Sequence, residues 1–251
     1  MLMLSHAHEV RRADLAGIPT PEPTSSWHPV AHAEVVGALT ERARARSLKI
    51  VSERYAVMDG TLYPRPGMQV SLRGARLYGS LDFEPIPGIP FPPGCRPSAG
   101  LRNSHDKSFA LSILAGSRVM VCANGLLLAE HVINRKHTSG ITLRTEVDKA
   151  LDAFLETLTG FQEVYNRLRD QRLTRARGHH LIVELARAGA FSSSDILKVA
   201  DEFEDPHHPE FRDRSAWTLY QASSEMMKSQ SPARQVDGLK ALSRTLLALV
   251  N

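Results

Sequence analysis

Lys49–Phe83 reads KIVSERYAVMDGTLYPRPGMQVSLRGARLYGSLDF, and this stretch decides the fold class. Lys49–Val57 is rich in β-branched residues and partly alternates apolar with polar, the pattern of a half-buried strand. Asp59-Gly60 carries hairpin-turn chemistry. Thr61–Tyr63, Met68–Leu72 and Arg76–Phe83 extend the pattern into an antiparallel meander, punctuated by Gly67, Gly74 and Gly79. Upstream, Pro29–Arg46 places Val35, Val36, Leu39 and Ala43 on one helical face. Before that, Pro19, Pro21, Pro23 and Pro29 fix φ and remove donors, so residues 1–28 read as an extended arm.

Downstream, Pro85–Pro97 holds six prolines in thirteen positions, a density that argues against a helix or a central strand. Strand character returns in residues 107–133, where Phe109–Leu114 and Arg118–Cys122 read as strands paired across Gly116-Ser117. From Thr145, a plausible N-cap with Asp148 at N3, the chain turns helical. Leu151, Phe154, Leu158, Phe161, Tyr165 and Leu168 repeat at spacings of three and four, a heptad-like seam. A helix packed within the domain explains that seam; pairing between copies through it is the route to a homo-oligomer. Further helices are expected at 178–190, 194–204, 214–228 and 233–250, the last opening on Ser231-Pro232. The order predicts an α+β fold: an N-terminal helix, an antiparallel β-meander and a helical C-terminal half. Residues 29–251 read as one domain, sheet-rich over 29–144 and helical over 145–251.

The chain has 251 residues and a formal net charge of +4, with 42% hydrophobic and 23% charged residues, an ordinary globular composition. The total hides an asymmetry. Residues 44–144 carry fourteen basic against six acidic side chains, net +8, while the segments on either side are each net −2. A basic middle attracts polyanions, nucleic acid above all. No run of about 18 apolar residues occurs, so no membrane span is expected. Two cysteines cannot build a disulfide framework, and no secretory leader is visible at the N-terminus, so the expected location is the cytoplasm.

Phosphate-loop, dinucleotide-binding, zincin, nucleophile-elbow and paired Cys-x-x-Cys motifs are all absent from the sequence. Eleven histidines raise the question of a metal, but no third ligand joins His28 and His32, or the adjacent pairs His179-His180 and His207-His208, at a known spacing. No metal and no cofactor is therefore expected. Asn103-Ser104-His105-Asp106-Lys107 is the densest polar string. His105 and Asp106 are candidates for acid–base chemistry, and Cys122 for a thiol nucleophile. Turn chemistry, in which Asn, Ser and Asp satisfy nearby backbone groups, accounts for the same string. Arg135-Lys136-His137-Thr138 suits phosphate contact. Tyr55, Tyr63, Tyr78, Phe83 and Phe109 lie among the basic strands, where exposed rings can stack unpaired bases; Phe83 and Phe109 read better as sheet core.

Three longer strings carry a resemblance: SWHPVAHAEVV (26–36), NSHDKSFALSILAGSRVMVCANGLLLAEHVINRKHT (103–138) and HHPEFRDRSAWTLYQASSEMMK (207–228). They resemble the phage- and plasmid-associated family known as domain of unknown function number 932. Its Asn-Ser-His-Asp, Val-x-Val-Cys-x-Asn, Arg-Lys-His-Thr and Trp-Ser-Leu-Tyr-Asn-like strings correspond here to 103–106, 119–124, 135–138 and 217–221, with Thr218 and Gln221 departing mildly from the last. The resemblance spans roughly residues 25–250 and supplies no catalytic residues. Its mobile-element setting implies DNA recombination, replication or contest with host defence.

The expected function is binding of nucleic acid, single-stranded DNA first, with assembly into a ring or filament of copies, as single-strand annealing proteins form, as its extension. The expected contacts are Arg65, Arg73, Arg76, Arg102, Lys107, Arg135 and Lys136, with Arg172 and Arg175 at a helix end. A module that blocks a host-defence protein is one alternative. A hydrolase or nuclease using His105 and Asp106 is the other.

Overall fold

The computed structural model describes residues 7–65, 67–119, 125–127, 133–139, 142–230 and 232–249. The α+β order is as expected. A short strand β1 (His8–Val10) and a 3-10 turn precede helix α1 (His32–Ala45). The long strands β2 (Ile50–Arg65) and β3 (Met68–Phe83) follow, then β4 (Cys95–Ser104), β5 (Leu111–Val119), β6 (Gly125–Leu127) and β7 (Ile133–Arg135). The helical half comprises α2 (Leu143–Thr159), α3 (Phe161–Asp170), α4 (Arg175–Arg187), α5 (Ile196–Glu204), α6 (Ala216–Met227) and α7 (Pro232–Leu249). The sheet is antiparallel, in the order β1-β2-β3-β4-β5, with β6 and β7 pairing different stretches of β5.

Two apolar cores form. Alternation along the strands turns Leu77, Leu81 and Phe83, Ala99 and Leu101, and Leu111, Ile113 and Ala115 to one face. Helix α1 lays Val35, Val36, Leu39 and Ala43 on that face, and α2 adds Val147, Leu151, Phe154 and Leu158. Arg42 and Arg46 of α1 both bond the Asp148 carboxylate of α2, at 2.7 and 2.6 Å, which fixes the two helices against each other. The second core lies within α3–α7, around Phe161, Leu181, Phe203, Trp217 and Tyr220. Phe91 touches both cores and stacks on Phe161 at 4.6 Å.

Several local expectations are corrected. Asp59-Gly60 is no turn: β2 runs through it, and the reversal falls between the partners Arg65 and Met68. The pair sits in a bulge, where Gly60 is required because a β-carbon there would overlap the Asp106 carboxylate and lie 2.9 Å from Ala75 Cβ. Gly116-Ser117 is likewise interior to β5. The Pro-rich segment ends inside a central strand, since β4 begins at Cys95. Pro97 pairs only with Ser117 of β5, because β3 joins one residue later, at Ser98. Helix α2 starts before Thr145, with Thr142 at its N-cap. The heptad seam does not run on one helix. Gly160 divides it, sending Leu151, Phe154 and Leu158 to the first core and Phe161 and Leu168 to the second. The seam is therefore consumed within the chain. The N-terminal segment is extended where its prolines require, but it is packed: β1 pairs with β2, and Leu15 and Trp27 are buried.

Candidate nucleic-acid interface

Beyond Met58 and Arg76 the β2–β3 hairpin leaves the sheet. Strand β1 pairs only Tyr55–Val57, and β4 pairs only Arg76–Asp82. Residues 59–73 form a two-stranded arm with Arg65, at its tip, and Arg73 exposed. Tyr63 and Met68 are 64% and 50% exposed, two of the four large hydrophobic side chains most open to solvent among the described residues. From Gly60 to Arg73 the sequence has no acidic residue. Neither Arg65 nor Arg73 makes an ion pair with a described residue.

The other basic candidates are placed differently. Arg76 bonds Asp106, Nε to Oδ2, at 2.7 Å, with the carboxylate wholly buried. Arg102 is half-buried, its guanidinium 5.2 Å from the centre of the Phe109 ring and its Nε donating to Ser112 Oγ. Lys107, at φ 64°, sets its ammonium 4.9 Å from the Trp27 ring centre. Arg135 bonds Glu146 at 2.6 Å, and that contact holds the Glu146 carboxyl below its ordinary pKa. Lys136 is exposed. Arg172 and Arg175 lie on the helical half, ion-paired with Asp213 and Glu204. The arm thus brings Arg65 and Arg73 together with Tyr63, whereas Arg76, Arg135, Arg172 and Arg175 are each committed to an acid. Of the aromatic candidates, Tyr55, Tyr78 and Phe83 are core residues and Phe109 is half-buried, which leaves Tyr63 open to stack.

At the root of the arm lies a buried polar knot drawn from three of the quoted strings. His32, on the apolar face of α1, accepts from Asn103 Nδ2 at Nδ1 (2.9 Å) and donates from Nε2 to the Gly74 carbonyl (3.0 Å). Its ring stacks on His105 at 3.8 Å, nearly parallel. Asn103 Nδ2 and His105 Nε2 both donate to the Val30 carbonyl, at 2.8 and 3.0 Å. His137 is 4% exposed, and neither of its ring nitrogens has a hydrogen-bond partner among the described residues. Burial and the neighbouring His105 lower the His32 pKa to about 3 and the His137 pKa to about 4; burial also lowers that of His105. All three rings are therefore neutral near pH 7.

His105 and Asp106 do not pair with each other. The Asp106 carboxylate serves Arg76 and the Ser108 amide, and Ser104 Oγ exchanges bonds with the Phe109 backbone, which is turn chemistry. His105 is fully buried, with its ring stacked on that of His32. Cys122 lies outside the described residues. Among those described, no group of three or more His, Cys, Asp or Glu is placed to hold a metal, and no helix is long and apolar enough to cross a membrane. The burial of His32 is written in helical spacing. The residue sits three, four and seven positions before Val35, Val36 and Leu39, and so shares their buried face.

The fourth string, around 217–221, is core. Trp217, Leu219 and Tyr220 are buried, Ser215 caps α6 by accepting from the Thr218 amide, and Tyr220 OH meets Ser243 Oγ at 3.0 Å. No curated protein and no solved structure matches the chain. The model of one family, described as Domain of unknown function (DUF932), matches residues 96–247. That span takes in β4 to most of α7 and all four short strings, 103–106, 119–124, 135–138 and 217–221; it leaves α1 and the arm outside. Matched over more than half its length, this chain belongs to the DUF932 family.

Proposed function

We propose that this protein binds single-stranded nucleic acid, single-stranded DNA in the first instance, through the β2–β3 arm. The observation that carries the reading is the arm's composition and exposure. Arg65 and Arg73 are exposed and make no ion pair with a described acid, Tyr63 stands open two residues before Arg65 on the same strand, and the ribbon carries no acidic side chain from Gly60 to Arg73. Cationic side chains track phosphates without regard to sequence, and an exposed ring stacks on any base. Lys107 and Lys136 are further exposed cations on the same half of the chain. Recombination, replication or annealing on a mobile element is the setting in which such an activity serves.

The test is a titration of a labelled single-stranded oligonucleotide at two salt concentrations. Arg65→Ala and Arg73→Ala should each reduce the slope of log K against log salt by about one. Tyr63→Ala should weaken binding by about 2 kcal/mol with the slope unchanged. Absence of salt-dependent binding at micromolar protein rejects the reading.

A further inference from the structure

The arm is a ribbon of two strands, and residues 58–65 and 68–75 pair with no third strand among those described. An isolated two-stranded ribbon is marginal in water, so its direction depends on how it leaves the sheet. At that point the register passes from Met58 opposite Arg76 to Gly60 opposite Leu72. One residue, Asp59, therefore stands against three: Arg73, Gly74 and Ala75. A bulge of this kind interrupts the ladder and leaves backbone groups to be satisfied from elsewhere.

Three of those groups are met by partners off the β2–β3 ladder. Asp59 Oδ1 accepts from the Gly74 amide at 2.7 Å. The Gly74 carbonyl accepts from His32 Nε2 at 3.0 Å, which ties the bulge to α1. The Ala75 carbonyl accepts from the His105 amide at 2.7 Å. The Asp106 carboxylate grips Arg76 at 2.7 Å and fills the space over Gly60, on the opposite strand. His32 and His105 are stacked and both are buried, so these contacts share one rigid support. Gly74 itself sits at φ +64°, a conformation open to glycine, with Ile18 packed against it.

We propose that Asp59, His32, His105 and Asp106 are positioning residues that mount the arm on the domain in one orientation, so that Arg65, Arg73 and Tyr63 meet a polyanion preorganised. The proposal rests on the nucleic-acid reading above. A fixed mount removes the ordering cost that a freely swinging ribbon would bring to binding.

Asp59 gives a discriminating test because simple electrostatics and the mount predict opposite signs. Removing an acid beside a basic arm should strengthen binding of a polyanion. Removing the acceptor of the Gly74 amide should weaken it. The experiment compares wild type, Asp59→Ala and Asp59→Asn in two assays: titration of a labelled single-stranded oligonucleotide, and amide hydrogen exchange of residues 60–75 against residues 98–102 of β4. Asp59 is exposed, so neither change empties the core. The expected result is a loss of affinity of about tenfold for Asp59→Ala with its salt slope unchanged, and faster exchange confined to the arm. Asp59→Asn, which keeps an acceptor oxygen, should restore both. Tighter or unchanged binding by Asp59→Ala overturns the proposal, as does unchanged exchange in the arm. If wild type binds no oligonucleotide, the functional reading fails, and the exchange comparison alone still decides whether the mount exists.

Discussion

Lowering the pH from about 7.5 to about 5 should destabilise this protein through its buried histidine knot. His32 and His137 titrate in the folded state near 3 and 4, against an ordinary 6.5 for a solvated ring. A group whose folded pKa is depressed in this way takes up its proton more readily in the unfolded chain. Its stabilising contribution is complete above pH 6.5 and is lost as the pH falls from there towards the folded value. At about pH 5 each ring is one and a half pH units below its unfolded pKa, a loss of about 2 kcal/mol per histidine. The two together remove about 4 kcal/mol, a large part of a typical domain's ~5–15 kcal/mol. His105, lowered by the same burial, acts in the same direction. Glu146, Asp148 and Glu204 have depressed carboxyl pKa values, so their contributions fade only at lower pH. His207, paired with Glu202, is raised and opposes the trend, but its side chain is 80% exposed and its effect is small. The assay is urea unfolding at the two pH values for wild type and for His137→Leu. Leucine fills a similar volume and buries no unpartnered nitrogen, so the variant should match or exceed wild type at pH 7.5 and lose only about half as much at pH 5. Equal wild-type stability at both pH values, or a His137→Leu variant that keeps the whole pH dependence, would refute the reasoning.

Two further outcomes follow from packing. Gly60→Ala should cost about 2 kcal/mol in denaturant unfolding, because the new methyl overlaps the Asp106 carboxylate that Arg76 already holds; a cost below about 0.5 kcal/mol would mean that the bulge yields freely. Phe91→Ala should cost about 2 kcal/mol, less than for a wholly buried ring because Phe91 is half-buried, and a change confined to neither core would appear as a lower midpoint by both tryptophan fluorescence and circular dichroism.

The fold class was legible because period-two and period-3.6 patterns are properties of single segments. Helices α1, α5, α6 and α7 lie close to their expected bounds, whereas α4 is set three residues earlier than 178–190, on a Thr174 cap. What was misread depended on neighbours distant in sequence. Asp59-Gly60 has the composition of a hairpin turn, yet the glycine answers to a carboxylate forty-six positions on. Pro97 is tolerated in β4 because β3 pairs with that strand only from Ser98. The heptad spacing passes unbroken through Gly160, and only the tertiary structure reveals that it serves two cores. The basic segment was visible as charge, but not the acids that occupy Arg76, Arg135, Arg172 and Arg175 from 11 to 41 positions away, since nothing local encodes those pairings. The arm's exposure could not be read either, because a strand that leaves a sheet has the same alternation as one that stays in it.

The span that defines the family opens at Arg96, one residue into β4, while β3 holds that strand along Ser98–Ser104. A polypeptide cut at that point would keep β4 and α2 and lose what each packs upon. The strand would offer a bare hydrogen-bonding edge, and α2 a stripe of Val147, Leu151, Phe154 and Leu158 without the face of α1 that covers it. Shared ancestry and cooperative folding therefore draw different borders on this molecule. The smallest piece able to close its own first core must reach back to α1.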